Sequence, residues 1–225
     1  MGCGREGPMR FLENFAGILQ TDAYAAYDRV GGPKRVHAAC WAHSRRRFVE
    51  ATKLNQQDVA SARIVAQMAK LFDLDAQARD ESMDHAARYT LRMERAPSVL
   101  AELKAQIEAA SRSALPSSPL GKASSYTLRL GDKLTRFLDY AELELSNNLA
   151  ENSMRPVAIG RRNWTHIGHE KAGPRVAAIL STVETCRRLK IPVHEYLAAV
   201  LPGLANTSIQ RLPELTPTAW AASNL

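Results

Sequence analysis

The amino-acid sequence predicts a mainly α-helical protein with a small β component. Apolar residues recur every three or four positions through much of residues 57–112, the pattern of helices with one buried face. Two short β-type runs, at residues 17–21 and 35–41, lie close together near the start of the chain. With 225 residues, 45% of them hydrophobic and 24% charged, the composition is that of a globular protein of one large or two small domains.

The first 50 residues alternate between helix and strand. Proline suits the first turn of a helix, so Pro8 is expected to open one, and the glycine-proline run at 31–33 is expected to close another. The predicted elements are a helix over residues 8–15, a strand over 17–21, a helix over 24–30, a strand over 35–41 and a helix that begins near Ala42.

The remaining elements are predicted to be helical. One buried stripe consists of Val59, Ala62, Val65, Ala69 and Phe72, and a second, in a helix expected to begin near Pro97, consists of Leu100, Leu103 and Ile107. A turn is predicted over residues 115–121 and a helix over 125–139. A later helix begins at Gly173-Pro174, buries Cys186 on its apolar side and ends before Pro192.

The positive charge is concentrated in two blocks. Residues 29–53 contain seven Lys or Arg and one Glu, and residues 151–191 contain eight Lys or Arg and three Glu. The stretch between these two blocks is nearly neutral, and the formal net charge of the whole chain is +7. Such blocks favour a polyanionic partner, because Lys and Arg displace counterions from nucleic acid. The triplet Arg45, Arg46, Arg47 and the pair Arg161, Arg162 are candidate phosphate contacts, although charge runs are also typical of solvated surfaces.

Two carboxylates are candidate site residues, and each has a structural alternative. Asp22 follows a short strand, where α/β sheets present functional residues, but it could equally cap the next helix. Glu151 lies among amides and arginines, yet Asn148 and Glu151 also form a capping-box pattern, and Glu151 with Arg155 an i,i+4 pair.

The cysteines and aromatic residues are interpreted as structural. Cys40 and His43 could supply two metal ligands, but without a second pair at zinc-site spacing a buried thiol beside a histidine is the favoured interpretation. Trp41 and Trp164 are expected to anchor the core. The absence of an apolar run of about 20 residues or of a secretory leader predicts a cytoplasmic protein without a membrane partner.

Several separate segments together resemble the transposases of the insertion sequence 66 family. They are residues 17–27 (GILQTDAYAAY), 39–48 (ACWAHSRRRF), 145–156 (LSNNLAENSMRP) and 160–164 (GRRNW), followed by 183–189 (VETCRRL), 196–201 (YLAAVL) and 212–217 (LPELTP). The resemblance extends over nearly the whole chain, with the segments in the same order.

The resemblance implies a ribonuclease-H-like α/β core with a DDE triad and a helical insertion. Asp22 would be the second acid and Glu151 the third, and both would bind two Mg²⁺ or Mn²⁺ ions when the triad is complete. Asn148, Arg155 and Arg161 would orient DNA, and Cys40 with His43 would be structural. The implied parts are a partial core (8–49), the insertion (50–140), the return to the core (141–172) and a C-terminal element (173–225).

The sequence also departs from the family pattern. The first acid and the three strands around it are expected before Pro8, so the core is expected to be incomplete and the chain to be a truncated, inactive transposase or a DNA-binding remnant. Ala23 and His169 stand where Gly and Ser are usual, and Gly131 where Trp is common. The implied partners are transposon ends, target DNA, further copies of the chain and an intact transposase, in the bacterial nucleoid.

Overall fold

A computed structural model describes residues 6–164 and 169–224 of the chain. They form two compact units, Met1–Leu149 and Ala150–Leu225, each of which is described by itself. The strands are β1 (Gly17–Thr21) and β2 (Arg35–Ala39), and the helices are α1 (Glu6–Leu12), α2 (Trp41–Leu54), α3 (Val59–Asp80), α4 (His85–Ser113), α5 (Pro119–Arg129), α6 (Gly131–Leu134), α7 (Asn148–Trp164), α8 (Gly173–Arg188), α9 (Val193–Leu204) and α10 (Pro217–Asn224). Short 3₁₀ helices span Ala25–Tyr27, Thr135–Leu138, Glu170–Ala172 and Ile209–Leu215.

The two strands pair in parallel, with Gly17 opposite Arg35 and Thr21 opposite Ala39. Their carboxyl ends therefore lie at the same edge of the sheet. Asp22 follows β1 at this edge and Cys40 follows β2, directly before α2. The predicted fold class, mainly α with a small β component, is confirmed.

One hydrophobic core holds the first unit together. Ala38 and Ala39 of β2 belong to the same buried cluster as Phe48 of α2 and Leu103 of α4. Trp41 is 4% exposed, and its Nε1 donates a hydrogen bond to the Leu134 carbonyl at 2.8 Å, which confirms its predicted role as a core anchor. The strand pair and the helices α2 to α6 are thus stabilised by shared apolar burial.

A buried ionic network fixes the chain that follows the helices. Arg92 of α4, 1% exposed, donates through Nη2 to Oδ1 of Asp75 in α3 at 2.7 Å. Its guanidinium also donates to carbonyl oxygens at Phe137 (3.0 Å), Tyr140 (3.3 Å), Ala141 (3.2 Å) and Leu143 (2.8 Å). Because a buried guanidinium requires acceptors for its five N–H groups, this network determines the path of residues 137–143.

The predicted buried stripe of α3 is wrong. Val59 and Ala62 are exposed, and the apolar residues that α3 buries are Ile64, Met68, Leu71, Leu74 and Ala78, because the neighbouring helices pack against a different face.

Three predicted elements also differ in the structure. Residues 24–30 form only the 3₁₀ turn Ala25–Tyr27, and the predicted helix over 125–139 is replaced by the end of α5, α6 and a 3₁₀ turn. The prediction that a helix begins near Pro97 is wrong, because Pro97 lies inside the 29-residue α4. Packing of α4 against α3 and α5, together with good helix formers on both sides, outweighs the lost backbone hydrogen bond.

The second unit has a small core of its own. Cys186 of α8, Tyr196 and Val200 of α9 are buried together with Ile191, which confirms the prediction that Cys186 is a core residue. The Tyr196 hydroxyl donates to the Leu215 carbonyl at 2.6 Å, and its ring meets Trp220 edge-on with the centroids 5.7 Å apart. Within the described residues, no helix is long and apolar enough to cross a membrane.

Candidate functional site

Asp22 lies half-buried at the carboxyl end of β1, in the sharp turn that leaves the sheet. Its Oδ1 accepts a hydrogen bond from the Tyr24 N–H at 2.9 Å. The N-cap position of the 3₁₀ helix that follows is occupied by Tyr24 and not by Asp22. Asp22 therefore fixes the turn and is not the N-cap of a helix. An ionised carboxylate has about four acceptor sites on two oxygens, so this single bond leaves capacity for a metal ion or another donor.

Ala23 adopts a left-handed backbone conformation, with φ of 64°. Residues with a Cβ seldom occupy this region, because Cβ crowds the following carbonyl oxygen. The turn that presents Asp22 thus requires the conformation that glycine adopts most easily, which explains in physical terms why glycine suits this position.

Tyr126 of α5 holds the backbone of Asp22. Its hydroxyl donates to the Asp22 carbonyl oxygen at 2.8 Å, although the two residues are 104 positions apart. Burial raises the pKa of Tyr126, while the nearby Arg47 guanidinium works against that increase. The sequence pattern did not single out Tyr126, since one tyrosine on an amphipathic helix is indistinguishable from an ordinary core residue.

Arg47 stacks on Tyr126, with its guanidinium carbon 3.9 Å from the ring centroid. Its planar cation lies over the negative face of the ring, a favourable arrangement. Of the three consecutive arginines, Arg47 is therefore the one placed beside the Asp22 turn.

Thr21 and His37 support the same turn from the sheet. Thr21 Oγ1 lies 2.9 Å from His37 Nε2 and accepts a hydrogen bond from the Ala23 N–H at 3.2 Å. The pKa of His37 is lowered to about 4, first by burial and then by Lys133 and Arg35, against an opposing contribution from Asp28. His37 is therefore neutral at pH 7.

Arg45, Arg46 and Asn148 line one cavity of about 530 Å³. The other lining residues come from α2 and α3 and are Ala42, Val49, Ala69, Phe72 and Asp73. Three of the predicted DNA-binding residues are thus brought together, and Arg47 is placed apart from them.

The chain returns to the sheet edge just before α7. The Trp41 N–H donates to the Leu145 carbonyl at 2.8 Å, and Gln20 Nε2 donates to the Glu144 carbonyl at 2.7 Å. Leu145 is therefore fixed beside the ends of both strands, three residues before Asn148. This anchoring was not foreseen, because it depends on backbone atoms that carry no sequence signal.

Glu151 lies in the first turn of α7 and is half-buried. A carboxylate there interacts favourably with the helix dipole, so the structural alternative for Glu151 is also consistent with its position. Arg155 is exposed one turn later, and Arg188 of α8 donates to the Ser153 hydroxyl. Asp22 and Glu151 belong to different units, and the side chains of Arg161, Arg162 and Trp164 lie outside the described residues.

Cys40 is a buried thiol at the N-terminal boundary of α2, and His43 lies in the first turn of that helix. Across residues 6–164 and 169–224, no group of three or more His, Cys, Asp or Glu is placed to hold a metal ion. The donor type at Asp22 nevertheless suits Mg²⁺, which prefers carboxylate oxygens and often uses only one or two of them together with substrate phosphates.

Comparisons with known proteins give one family match and several longer relatives. The family described as "Transposase IS66 family" matches residues 3–175. The uncharacterized protein y4jD of Sinorhizobium fredii is 31% identical over 96% of this chain and 43% of its own length, and y4hP of the same organism is 30% identical over 96% and 42%. The chain therefore spans less than half the length of these relatives. No solved structure gives a significant match. By the extent of the family match, the chain belongs to the IS66 family of transposases.

Proposed function

We propose that the chain acts in DNA transposition, with Asp22 and Glu151 as the second and third acids of a DDE-type site. The observation that carries this proposal is the position of Asp22. It follows a parallel strand, at the sheet edge to which the chain returns shortly before the helix of Glu151. Strand ends of this kind are where α/β folds place functional residues.

The reaction in this proposal is phosphoryl transfer on a DNA strand. Asp22 and Glu151 would bind Mg²⁺ or Mn²⁺, which supply charge neutralisation at the phosphate and activate the attacking oxygen. Arg47 lies near the Asp22 turn and would offset charge on the phosphodiester, while Tyr126 keeps the Asp22 backbone in place. Arg45, Arg46, Asn148, Arg155, Arg161 and Arg162 would contact the DNA.

The fold proposed for this site is a ribonuclease-H-like core completed by further strands. Within this interpretation β1, β2 and α2 belong to the core (8–49), α3 to α6 form the insertion (50–140), residues 141–172 return to the core and 173–225 form the C-terminal element. The first acid would come from a carboxylate outside these 225 residues, and the active assembly would be a homo-oligomer.

A cleavage assay tests the catalytic proposal. The chain is incubated with a duplex carrying the element's terminal inverted repeat and Mg²⁺, alone and together with a longer family member whose Asp and Glu at these two positions are replaced. Restored cleavage that Asp22→Ala and Glu151→Ala abolish is expected, whereas the exposed control Glu142→Ala retains it. Cleavage unaffected by either substitution would reject these residues as catalytic.

A metal-binding measurement provides a readout independent of turnover. Calorimetric titration of the chain with Mn²⁺ is expected to give heat that Asp22→Asn reduces and Glu142→Gln leaves unchanged. Equal titrations for the two variants would remove Asp22 from the metal site.

The second candidate function is DNA binding without catalysis. It is favoured by the cavity that collects Arg45, Arg46 and Asn148 on the first unit. Under this hypothesis the chain binds the inverted-repeat duplex with an affinity that falls steeply with salt, and it lowers the activity of an intact transposase by joining its assembly. Cleavage dependent on Asp22 and Glu151 would exclude it.

A further inference from the structure

The cavity between α2 and α3 presents cationic, apolar and hydrogen-bonding surfaces side by side. We propose that it binds one unpaired nucleotide of a DNA strand, with the phosphate at Arg45 and Arg46, the base against Phe72 and an exocyclic amino group of the base at Asp73. This inference rests on the proposed interaction with DNA and adds the form of DNA that the site recognises. The volume of the cavity, about 530 Å³, falls within the usual range of small-ligand pockets, about 300–1,000 Å³.

The two arginines are available for a phosphate. Arg45 is half-buried and Arg46 is exposed, and in the part of the chain that the structure describes neither forms a salt bridge with a carboxylate. Guanidinium groups bind phosphate oxygens in a bidentate manner. The mouth of the cavity can therefore hold a backbone phosphate.

The apolar wall distinguishes this site from a simple phosphate-binding patch. Ala42 and Val49 of α2 face the cavity together with Ala69 and Phe72 of α3. A duplex presents phosphates on its outside and its bases only edge-on in the grooves, so its backbone has no group that would use this wall. An unpaired nucleotide can contact this wall, because the face of its base is apolar and stacks on aromatic side chains.

Asp73 indicates which bases are preferred. A carboxylate repels phosphate, so its presence in the cavity opposes a purely anionic ligand, but it accepts a hydrogen bond from the N4 amino group of cytosine. The Asn148 amide, with both donors and an acceptor, can bond other polar atoms of the same base. Cytosine is therefore expected to bind more tightly than thymine, which has a carbonyl oxygen at the corresponding position.

Binding is measured by fluorescence anisotropy with the full 225-residue chain. The probes are oligo(dC) and oligo(dT) of about 12 nucleotides and a duplex of equal length, a size that covers one single-strand site. Oligo(dC) is expected to bind at least about 5-fold more tightly than oligo(dT), the lower range for one specific base contact. Equal binding of the two oligomers would overturn the assignment of Asp73.

A blocking substitution tests the cavity itself. Ala69→Phe fills the space without changing charge and is expected to weaken oligo(dC) binding about 10-fold, as for loss of a stacked base, while duplex binding changes less than 2-fold. The matched control is Ala66→Phe, at an exposed position of the same helix that does not line the cavity. Circular dichroism melts verify that both variants are folded. Unchanged oligo(dC) binding in a folded Ala69→Phe variant would reject the proposal.

Replacing the carboxylate separates recognition from charge. Asp73→Ala is expected to raise the affinity for oligo(dT), because a negative charge is removed, and to bring the ratio of the two affinities to about 1, because oligo(dC) loses its hydrogen bond. A purely structural role of Asp73 would leave the ratio unchanged, which contradicts the proposal. Tighter binding of oligo(rC) than of oligo(dC) would assign the cavity to RNA and overturn it as well.

The binding measurements distinguish failure of this inference from failure of the proposed function. If the chain binds the duplex but the cavity variants do not change its binding of single strands, only the unpaired-nucleotide site is rejected. Absence of binding to every DNA probe rejects the DNA partner and, with it, both proposals.

Discussion

The Tyr126 hydroxyl donates a hydrogen bond to the Asp22 carbonyl oxygen at 2.8 Å, and thereby ties helix α5 to the turn that carries the candidate second acid. The same ring supports Arg47. One side chain from the region predicted to be an insertion thus positions two residues of the candidate site. If the proposed division of the chain holds, the helices of 50–140 contribute to the site itself.

Tyr126→Phe is expected to remove this hydrogen bond while keeping the ring for Arg47. The free energy of unfolding should fall by about 1 kcal/mol, the net contribution of one hydrogen bond, and Mn²⁺ binding at Asp22 should weaken because its backbone is less restrained. Chemical denaturation and calorimetry measure the two effects. The exposed Tyr89→Phe is the control and should alter neither. A Tyr126→Phe variant with native stability and Mn²⁺ binding would show that the bond has no positioning role.

Ala23→Gly is expected to stabilise the first unit. Ala23 has φ of 64°, a conformation that costs an L-residue about 1–2 kcal/mol but costs glycine almost nothing. The greater freedom of glycine in the unfolded chain offsets part of this gain, so the increase in the free energy of unfolding should be about 0.5–1 kcal/mol.

The opposite sign is expected for a helical control. Ala66→Gly, at an exposed position inside α3, should destabilise by about 1 kcal/mol because it increases the entropy of the unfolded chain without relieving strain. Destabilisation by both substitutions would contradict the left-handed conformation of Ala23.

Arg92→Met is expected to be among the most damaging substitutions in the first unit. It removes one of the two arginine partners of the buried Asp75, leaving only Arg88, and takes the Arg92 donor away from four carbonyl oxygens of residues 137–143. Breaking a buried ion pair in this way costs about 3–5 kcal/mol. Arg79→Met, at an exposed pair with Glu144, should cost less than about 1 kcal/mol in the same denaturation experiment. If the two variants lost similar amounts of free energy of unfolding, burial would not determine how much an ion pair contributes to stability here.

The sequence predicted the strand β1 and the face of α4 that carries Leu103 and Ile107, because their periodicity is local. It assigned the buried face of α3 wrongly, because apolar residues lie on more than one side of that helix. β1 agrees with the expected run, β2 ends at Ala39, two residues earlier than expected, and Cys186 and Trp41 are buried as expected. The Arg92 network and the Tyr126 bond could not be predicted, since they join residues 17 to 104 positions apart and depend on how helices pack. Pro97 misled the helix prediction because tertiary packing outweighed a local signal.

The candidate site was predictable only in part for the same reason. Asp22 and the arginines stood out by residue type and charge, and the structure places Arg45 and Arg46 in one cavity. Which arginine faces which surface depends on the rotation of α2 about its axis. Arg47 stacks on Tyr126, whereas its two neighbours face α3. The sequence pattern alone treats the three as equivalent.

The lowered pKa of His37 predicts a specific loss of stability in acid. Burial keeps His37 neutral down to a pKa of about 4 in the folded state, against about 6.5 in the unfolded chain. Between these values the unfolded state binds more protons, so the free energy of unfolding decreases as the pH falls from 6.5 to 4 and is unaffected by this group above 6.5. Because His37 is only half-buried, the contribution is on the order of 1–2 kcal/mol after allowance for solvent screening.

His37→Gln should remove that contribution while retaining a polar partner for Thr21. Urea denaturation at pH 7 and pH 4.5 gives the decrease in the free energy of unfolding for the wild-type chain and for the variant. The contribution of His37 is the difference between these two decreases. Other acidic groups affect both proteins alike and cancel in this comparison. The exposed His85→Gln serves as control and should leave the decrease of the wild type unchanged. An identical decrease in the His37→Gln variant would mean that His37 is protonated in the folded protein as readily as in the unfolded chain, and that the turn before Asp22 is more open to solvent than its hydrogen bonds indicate.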